Sequence, residues 1–535
     1  MRKVNIARIV ETWHCKNTDA LFHNLSSESH PFIMETCTFE KGGYIIIDFG
    51  KEICGRVHVV FGYNEAGEIR IRTGESVAEA CAELGEKNAG NNHSLRDATY
   101  PVVGWSDFST TETGFRFMRI DVAKGERVYV SSIFAEESAN GLETRGSFLC
   151  SNQRVNDIFE VAKRTISLCV REKEIWDGVK RDRVVWIGDF YPELLSAYTI
   201  YGNIPQFEHV LNYVKYFDGH WINNIPAYSA WWIICLEKYF ELSGNADYVK
   251  HMLPYVDKIV RDFSLIVKEG GEVSYQNSDL ILFEGNEFFV DWPTNGKEDS
   301  KIGWRYLLIY AMKKAKEVYS FFDKVSPLAD LVLKRLNEFE YKPSSFKQIT
   351  ALGVLAGKID SEEAKIRLKE DGAKGVTAFL SFAIIEALTK LGEGEFALSI
   401  IKEYFGDMID LGATTFWEDF DVDWLKDNPS TLVDTPDTKR KNIHADYGKF
   451  CYQGLRHSLC HGWSTGFLDF FYKHILGIVP LEKGYKTIKI DPHLYSLEFV
   501  EGRIPTRFGI IAVRHVLKNG KIETIYTLPD GVNKV

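Results

Sequence analysis

Hydrophobic and polar positions change their period twice along the chain. Up to about residue 140 the pattern is that of strands. Tyr44–Phe49 is a short apolar run, and Arg56–Phe61 and Glu68–Arg72 partly alternate, as half-buried strands do. Phe115–Ile120 and Arg127–Val130 continue the theme, with Gly and Asn at turn positions between the runs. Short strands with no helical pattern between them predict an antiparallel β-sandwich. From Ser151 the period becomes helical, with Val155, Ile158, Phe159, Ala162, Ile166, Cys169 and Val170 at helical spacing. Such patterns recur near 152–172, 188–202, 205–217, 226–243, 245–268, 300–320, 326–340, 345–356, 360–369, 374–391, 393–408 and 456–475. Asp360 followed by Glu363 is spaced as a capping box. After about residue 480 strands return at Thr487–Ile490, Gly509–Val513 and Ile522–Ile525, with a turn at Asn519–Gly520.

No repeat of about 30–45 residues runs through the helical region, which disfavours a solenoid. Its helical patterns fit a closed double ring, six helices inside and six outside, whose loops at one end build a central cleft. The expected fold is multidomain. Residues 1–144 form an N-terminal antiparallel β-sandwich, 145–480 a central all-α (α/α)6 barrel, and 481–535 a small C-terminal β domain.

The composition is that of an ordinary globular protein: of 535 residues, 45% are hydrophobic and 26% charged. A net charge of -11 lacks the basic footprint of a nucleic-acid binder and gives no general attraction to an anionic membrane. The longest mainly apolar stretch, Gly375–Ile385, is well short of the ~20 residues that span a bilayer. Arg2, Lys3, Arg8 and Glu11 interrupt any apolar signal-peptide region. The nine cysteines are scattered without a CxxC pair, and His14, His23, His30 and His93 show no ligand spacing. The sequence therefore points to no metal, no cofactor, no nucleic-acid or membrane partner, and a cytoplasmic location.

The densest chemical signal is Trp176–Asp189, between the first two helical patterns, where three Asp, two Arg, one Lys and two Trp crowd into one loop. A solvated salt-bridged loop seldom carries two tryptophans, whereas a cleft wall uses them for stacking. Carboxylates and aromatics meet again at Gly412–Asp421, and aromatics recur at Pro226–Trp232, Phe289–Pro293 and Ser458–Ser464. Each alone is more often core packing than a site. All five fall near helix starts or inter-helix loops, which a helical ring could bring to one cleft. Two carboxylates on separate loops, walled by tryptophans, are the equipment for glycoside hydrolysis.

These segments resemble the α-L-rhamnosidases of glycoside hydrolase family 78. Asp177-Gly178-Val179-Lys180-Arg181-Asp182-Arg183-Val184-Val185-Trp186-Ile187-Gly188-Asp189 is similar, without a gap, to that family's first catalytic loop, D-C-P-x-R-E-R-x-x-W-x-G-D. Ala413–Glu418 resembles its A-T-T-x-W-E loop, and Ser458–His461 its S-L-N-H segment. Two departures stand out. Asp182 replaces the usual Glu general acid, and Gly178-Val179 replaces Cys-Pro. The resemblance runs without the extra N-terminal β domains common in longer members. The resemblance implies an inverting glycosidase for terminal α-L-rhamnosyl or related residues, with Asp182 as general acid and Glu418 as general base. It implies that Asp177, Arg181 and Asp189 bind sugar hydroxyls. Trp186, Trp232, Trp292 and His461 would wall the cleft, with Trp231 a close competitor to Trp232. A related hydrolase of other specificity, such as an unsaturated-uronyl hydrolase, and a non-catalytic carbohydrate-binding relative are the alternatives.

Overall fold

The structure is a computed structural model that describes residues 1–23, 35–276, 279–342, 344–359, 361–436, 439–449 and 451–535. Asp360, and with it the expected capping box, lies outside the described residues. The chain divides into two compact units that do not follow sequence order. One comprises Met1–Gly141, Gly178–Arg183 and Met408–His461; the other comprises Leu142–Asp177, Val184–Asp407 and Gly462–Val535.

The first unit is built on one eight-stranded sheet. Its strands are β1 (Arg2–Asn5), β2 (Arg8–Lys16), β3 (Cys37–Phe61), β4 (Gly67–Gly74), β5 (Asp97–Val102), β6 (Asp107–Ser109), β7 (Thr113–Lys124) and β8 (Arg127–Glu137). The main path is β1-β8-β3-β7-β4-β5, with β2 and β6 also paired to β3. Two short apolar runs in the sequence turn out to be one strand, the 25-residue β3. Gly50, at φ +82, and a register shift between Asp48 and Ile53 let it bend without ending. Its first part, Cys37–Glu40, faces Arg127–Val130 of β8, and its last part, Gly55–Val60, faces Ser132–Glu137. Ile45, Ile47 and Phe49 enter the main core, while Ile46 points the other way and packs with Phe117 under a short helix, α2 (Val77–Cys81). α1 (Ala20–His23) precedes β3.

The second unit is helical. Its helices are α3 (Gln153–Cys169), α4 (Ile187–Tyr201), α5 (Pro205–Leu211), α6 (Pro226–Ser243), α7 (Ala246–Ile266), α8 (Glu298–Phe321) and α9 (Pro327–Asn337). They continue with α10 (Lys347–Leu355), α11 (Ser361–Lys369), α12 (Ser381–Lys390), α13 (Gly394–Asp410) and α14 (Leu468–Phe470). Helices α4, α6, α8, α10, α12 and α14 touch in turn, and α14 returns to α4, so they form a closed circuit. Helices α3, α5, α7, α9 and α11 lie against members of that circuit. The sequence dictates who goes where. In α6 every residue except Glu241 is buried, as a helix packed on all sides requires. In α7 only Val249, Met252, Leu253, Val256, Ile259, Val260, Phe263 and Ile266 are buried, the stripe of a helix with a wet outer face. Four strands, β9 (Ser147–Cys150), β12 (Phe499–Thr506), β13 (Gly509–Lys518) and β14 (Lys521–Thr527), form a sheet in the order β14-β13-β12-β9, while β10 (Ile478–Pro480), β11 (Thr487–Ile490) and β15 (Asn533–Lys534) form a second in the order β10-β11-β15. The β13–β14 turn has Asn519 and Gly520 both at positive φ, as a two-residue hairpin needs.

Two helix expectations shift. The pattern at 374–391 becomes helical only at Ser381, because Gly375 takes φ +77 and the preceding residues form turns. The pattern at 456–475 is α-helical only from Leu468, after a 3-10 turn over Gly462–Thr465, and continues as a wider π turn over Phe471–Ile475. Before that point the chain makes loop contacts instead. His461 N–H donates to the Phe416 carbonyl and Gly462 N–H to that of Asp177, which an α-helix would forbid. No helix among the described residues is long and apolar enough to cross a membrane.

Candidate active site

Four of the residues singled out above meet in the first unit. The backbone at Asp182 and Arg183 takes left-handed φ values of +52 and +59, a strained pair for residues with side chains. The turn is over-determined by its neighbours. Ser94 Oγ donates to the Lys180 carbonyl at 2.8 Å, and Arg183 Nη2 pairs with Glu112 at 2.9 Å. A Cβ on Gly114 would lie 2.7 Å from the Val179 backbone, so this segment of the loop docks only because that position is glycine.

From this turn the Arg181 guanidinium reaches two carboxylates at once, Nη1 to Asp182 and Nη2 to Glu418. Arg181 Nε donates to the Arg456 carbonyl at 3.1 Å, and the guanidinium carbon stands 3.7 Å from the centre of the Tyr452 ring. Burial opposes the guanidinium charge, but Glu418 and Asp182 outweigh it and raise the Arg181 pKa further. Glu418 is itself buried. Burial pushes its carboxyl up, yet the Arg181 guanidinium holds it well below the usual carboxylate range. Its other oxygen accepts the Ser458 N–H at 3.1 Å, while Glu418 N–H donates to the Ser458 carbonyl at 3.0 Å. His461 Nε2 lies 3.9 Å from Glu418, and burial pushes both His461 and His457 down to about 3, so both rings are neutral. His457 Nε2 accepts the Asp419 N–H at 2.8 Å, which fixes its tautomer. Asp182 also has His93 Nδ1 at 3.5 Å, a histidine that linear spacing had set aside.

Beside this group lies a buried layer that the sequence reading missed. Lys180 Nζ sits 3.0 Å from Glu75 and 3.3 Å from Glu79, and donates to the carbonyls of Leu455, at 3.0 Å, and His457. Glu75, Glu79 and His444 bring ligand atoms within 4.8 Å of one another, close enough for a cation. The Lys180 ammonium lies among them. Ser76 caps α2 by accepting the Glu79 N–H at 3.1 Å, and Glu79 accepts the Glu75 N–H at 2.9 Å. That S-x-x-E capping spacing was the legible signal here. Burial pushes Glu75 up to about 7 despite Lys180.

The remaining singled-out residues belong to the second unit. Asp177 Oδ1 accepts the Val184 N–H at 3.0 Å, pinching the base of the loop. Asp189 is buried in the first turn of α4 and accepts from the Tyr228 hydroxyl at 3.3 Å. A Cβ on Gly188 would stand 2.3 Å from that same Tyr228 ring, which explains the Gly-Asp pair. Burial, then Asp189 and Asp177, raise the carboxyl of Glu193, one helical turn beyond Asp189, above the usual range. Trp186 is half-buried, edge-on to Tyr228 at 6.2 Å, and Trp292 is half-buried, edge-on to Phe289 at 5.4 Å. Trp232 is fully buried with its indole N–H donated to the Leu211 carbonyl at 2.9 Å, and Trp231 packs against Tyr191, Phe379 and Phe382. Both are core residues of α6. Asp291, next to Trp292, accepts the Thr377 hydroxyl at 2.6 Å.

No family model matches the sequence, and no curated protein matches it. Solved structures do. A family 78 rhamnosidase of Bacillus sp. GL1 superposes with a TM-score of 0.73 at 19% identity over 96% of this chain and 56% of its own. A rhamnosidase from Klebsiella oxytoca, with rhamnose bound, gives 0.67 at 19% identity over 88% of this chain and 95% of its own. The α-L-rhamnosidase of Streptomyces avermitilis, complexed with L-rhamnose, gives 0.69 at 14% identity over 100% of this chain and 49% of its own. The chain thus has the fold of the family 78 α-L-rhamnosidases, a helical barrel with β domains, and spans about half the length of several of them.

Proposed function

We propose that the protein is an inverting glycoside hydrolase that removes terminal α-L-rhamnosyl, or closely related, residues from glycosides. The observation that carries this reading is the bridge from Arg181 to Asp182 and Glu418, which joins two carboxylates from loops far apart in sequence. The rhamnose bound by two proteins of the same fold supports the sugar class. Glu418, held ionised by Arg181, is suited to be the general base, which must be a carboxylate before a water can give it a proton. In the reaction that water loses a proton to Glu418 as its oxygen bonds the anomeric carbon. The glycosidic C–O bond breaks, and the departing oxygen takes the proton of Asp182. Asp182 must therefore leave Arg181 and enter the cycle protonated. Arg181, once released, is free to donate to sugar hydroxyls, a role we also give to Asp177 and Asp189. Trp186, Trp292 and His461 supply walls. Trp232, with its indole N–H already used, receives no role.

The test is a panel of p-nitrophenyl glycosides with NMR of the first-formed sugar. Turnover of the α-L-rhamnoside with inverted configuration is expected. Turnover of only another glycoside would transfer the reading to a different sugar. Retained configuration would make Glu418 a nucleophile. Binding of rhamnose without turnover of any glycoside would overturn the enzyme reading.

A further inference from the structure

The first unit carries a second recess, lined by none of the residues around Arg181. It is a groove of about 840 Å³ where the turns of the eight-stranded sheet gather. The β3–β4 turn supplies Tyr63 and Glu65, the β5–β6 segment Trp105, the β7–β8 turn Glu126, and the strands beside them Lys41 and Arg127. We propose that this groove binds a neutral oligosaccharide chain, separately from catalysis.

Three observations lead there. The first is aromatic surface with no core function. Tyr63 is 63% exposed and Trp105 45% exposed, and their rings lie 6.4 Å apart with planes tilted by 56°. Large aromatics left in water forgo burial, and a flat exposed face beside polar groups suits the apolar face of a pyranose ring. Trp105 also takes a left-handed φ of +59, uncommon for so bulky a residue. Its N–H, donated to the Gly62 carbonyl at 2.9 Å, holds that conformation.

The second is that the groove is already formed. Asn64 ties the β3–β4 turn to β8, donating to the Tyr129 carbonyl at 2.8 Å and accepting the Tyr129 N–H at 2.7 Å. Trp105 N–H, donated to the Gly62 carbonyl, ties the β5–β6 segment to the same turn. A recess whose walls are pinned in this way loses little entropy on binding.

The third is the mixture of charge. Glu40, Glu65 and Glu126 line the groove together with Lys41 and Arg127, and His14 adds an imidazole. Such a lining offers both donors and acceptors with little net charge, which suits a hydroxyl-rich neutral ligand. A polyanion would need a basic surface, which neither this lining nor a chain of net charge -11 provides. The volume falls within the usual range for ligand sites, about 300–1,000 Å³.

The experiment uses the full chain, with Glu418→Gln to block hydrolysis. Cellohexaose, maltohexaose, xylohexaose and an oligogalacturonate are titrated by tryptophan fluorescence and saturation-transfer NMR. At least one neutral oligosaccharide is expected to bind. Trp105→Ala and Tyr63→Ala should each weaken it by about tenfold or more, the equivalent of about 1.4 kcal/mol. In the Glu418 background-free protein, the same two substitutions should leave aryl-glycoside turnover and thermal midpoint unchanged. Absence of binding to all three neutral probes, or binding that survives both substitutions, overturns the proposal. Preference for the oligogalacturonate overturns the neutral-ligand assignment. Because turnover is read on a small aryl glycoside, a failure here leaves the catalytic reading standing, and the converse also holds.

Discussion

One carboxylate oxygen of Glu75 lies 3.0 Å from the ammonium of Lys180 and accepts the Leu459 N–H at 2.6 Å. That oxygen joins the strand side of the first unit to both loops that carry the candidate catalytic groups. Lys180 precedes Arg181, and Leu459 follows Ser458, the residue that exchanges two hydrogen bonds with Glu418.

Lys180→Met should therefore destabilise the protein strongly. It would leave Glu75 and Glu79 buried without their cation, and breaking a buried pair from one side costs about 3–5 kcal/mol. Urea unfolding measures it. Adding Glu75→Gln to Lys180→Met should recover part of the loss, since it removes an uncompensated charge. Lys180→Arg should not substitute, because a planar fork cannot fill a site shaped around a point cation. An unchanged unfolding free energy in Lys180→Met would show that the network holds nothing.

Stability should fall on acidification through the histidines near Glu418. His457 and His461 are pushed by burial down to about 3, against about 6.5 in an unfolded chain. Between those values the unfolded chain binds more protons, so stability is present above about pH 6.5 and is lost as pH falls toward 3. Glu75 works in the opposite sense. Raised to about 7, it favours the folded state at the acid side of its window and loses that contribution as pH rises. The informative quantity is thus a difference. The drop in thermal midpoint from about pH 7 to about pH 5 should be smaller in His461→Gln than in the parent. An equal drop would mean that His461 is not held neutral.

Much of this was legible in the sequence, for reasons that particular residues make plain. The apolar run at Tyr44–Phe49 follows from a strand buried on both faces, and the stripe of α7 from burial on one, patterns that periodicity reads directly. Asp182 and Glu418 could be singled out because their loops carry tryptophans and match a family pattern. What linear reading could not supply was depth. Trp232 and Trp186 are the same residue type in similar local surroundings, yet one is core and the other half-buried, and only tertiary packing separates them. Glu75, Glu79 and His444 were invisible for a related reason. Glu75 in the bend after β4, Glu79 on a short helix and His444 in a turn read as solvated until a lysine from a distant loop meets them. The stretch before Ser381 was misread as helix because apolar spacing continued through Gly375, which the backbone uses for a turn.

Arg181→Lys should separate charge from geometry. The guanidinium spans Asp182 and Glu418 with different nitrogens while its Nε donates to the Arg456 carbonyl. An ammonium keeps the charge but offers no planar fork, so it can serve only one of these partners well. The fold should survive, with kcat/KM on the aryl rhamnoside reduced by about tenfold or more, a loss of about 1.4 kcal/mol or more in transition-state stabilisation. Activity equal to the parent would show that bridging by a fork is not required.

The assignment of acid and base can be tested by varying the leaving group. A general acid matters most when the departing oxygen is a poor leaving group, and least when it leaves readily as an anion. Asp182→Asn should therefore lose about 10²–10⁴-fold on an alkyl rhamnoside and much less on the dinitrophenyl rhamnoside. Glu418→Gln, which removes the group that takes the water's proton, should lose a similar factor on both. Glu418 is held ionised well below its ordinary range, so it should not set the acid limb of the pH–rate profile. That limb should be the same in the parent and in Asp182→Asn assayed on the dinitrophenyl substrate. Equal losses on both leaving groups for Asp182→Asn would remove it as the acid. A loss for Glu418→Gln that depends on the leaving group would mean that the two roles are exchanged.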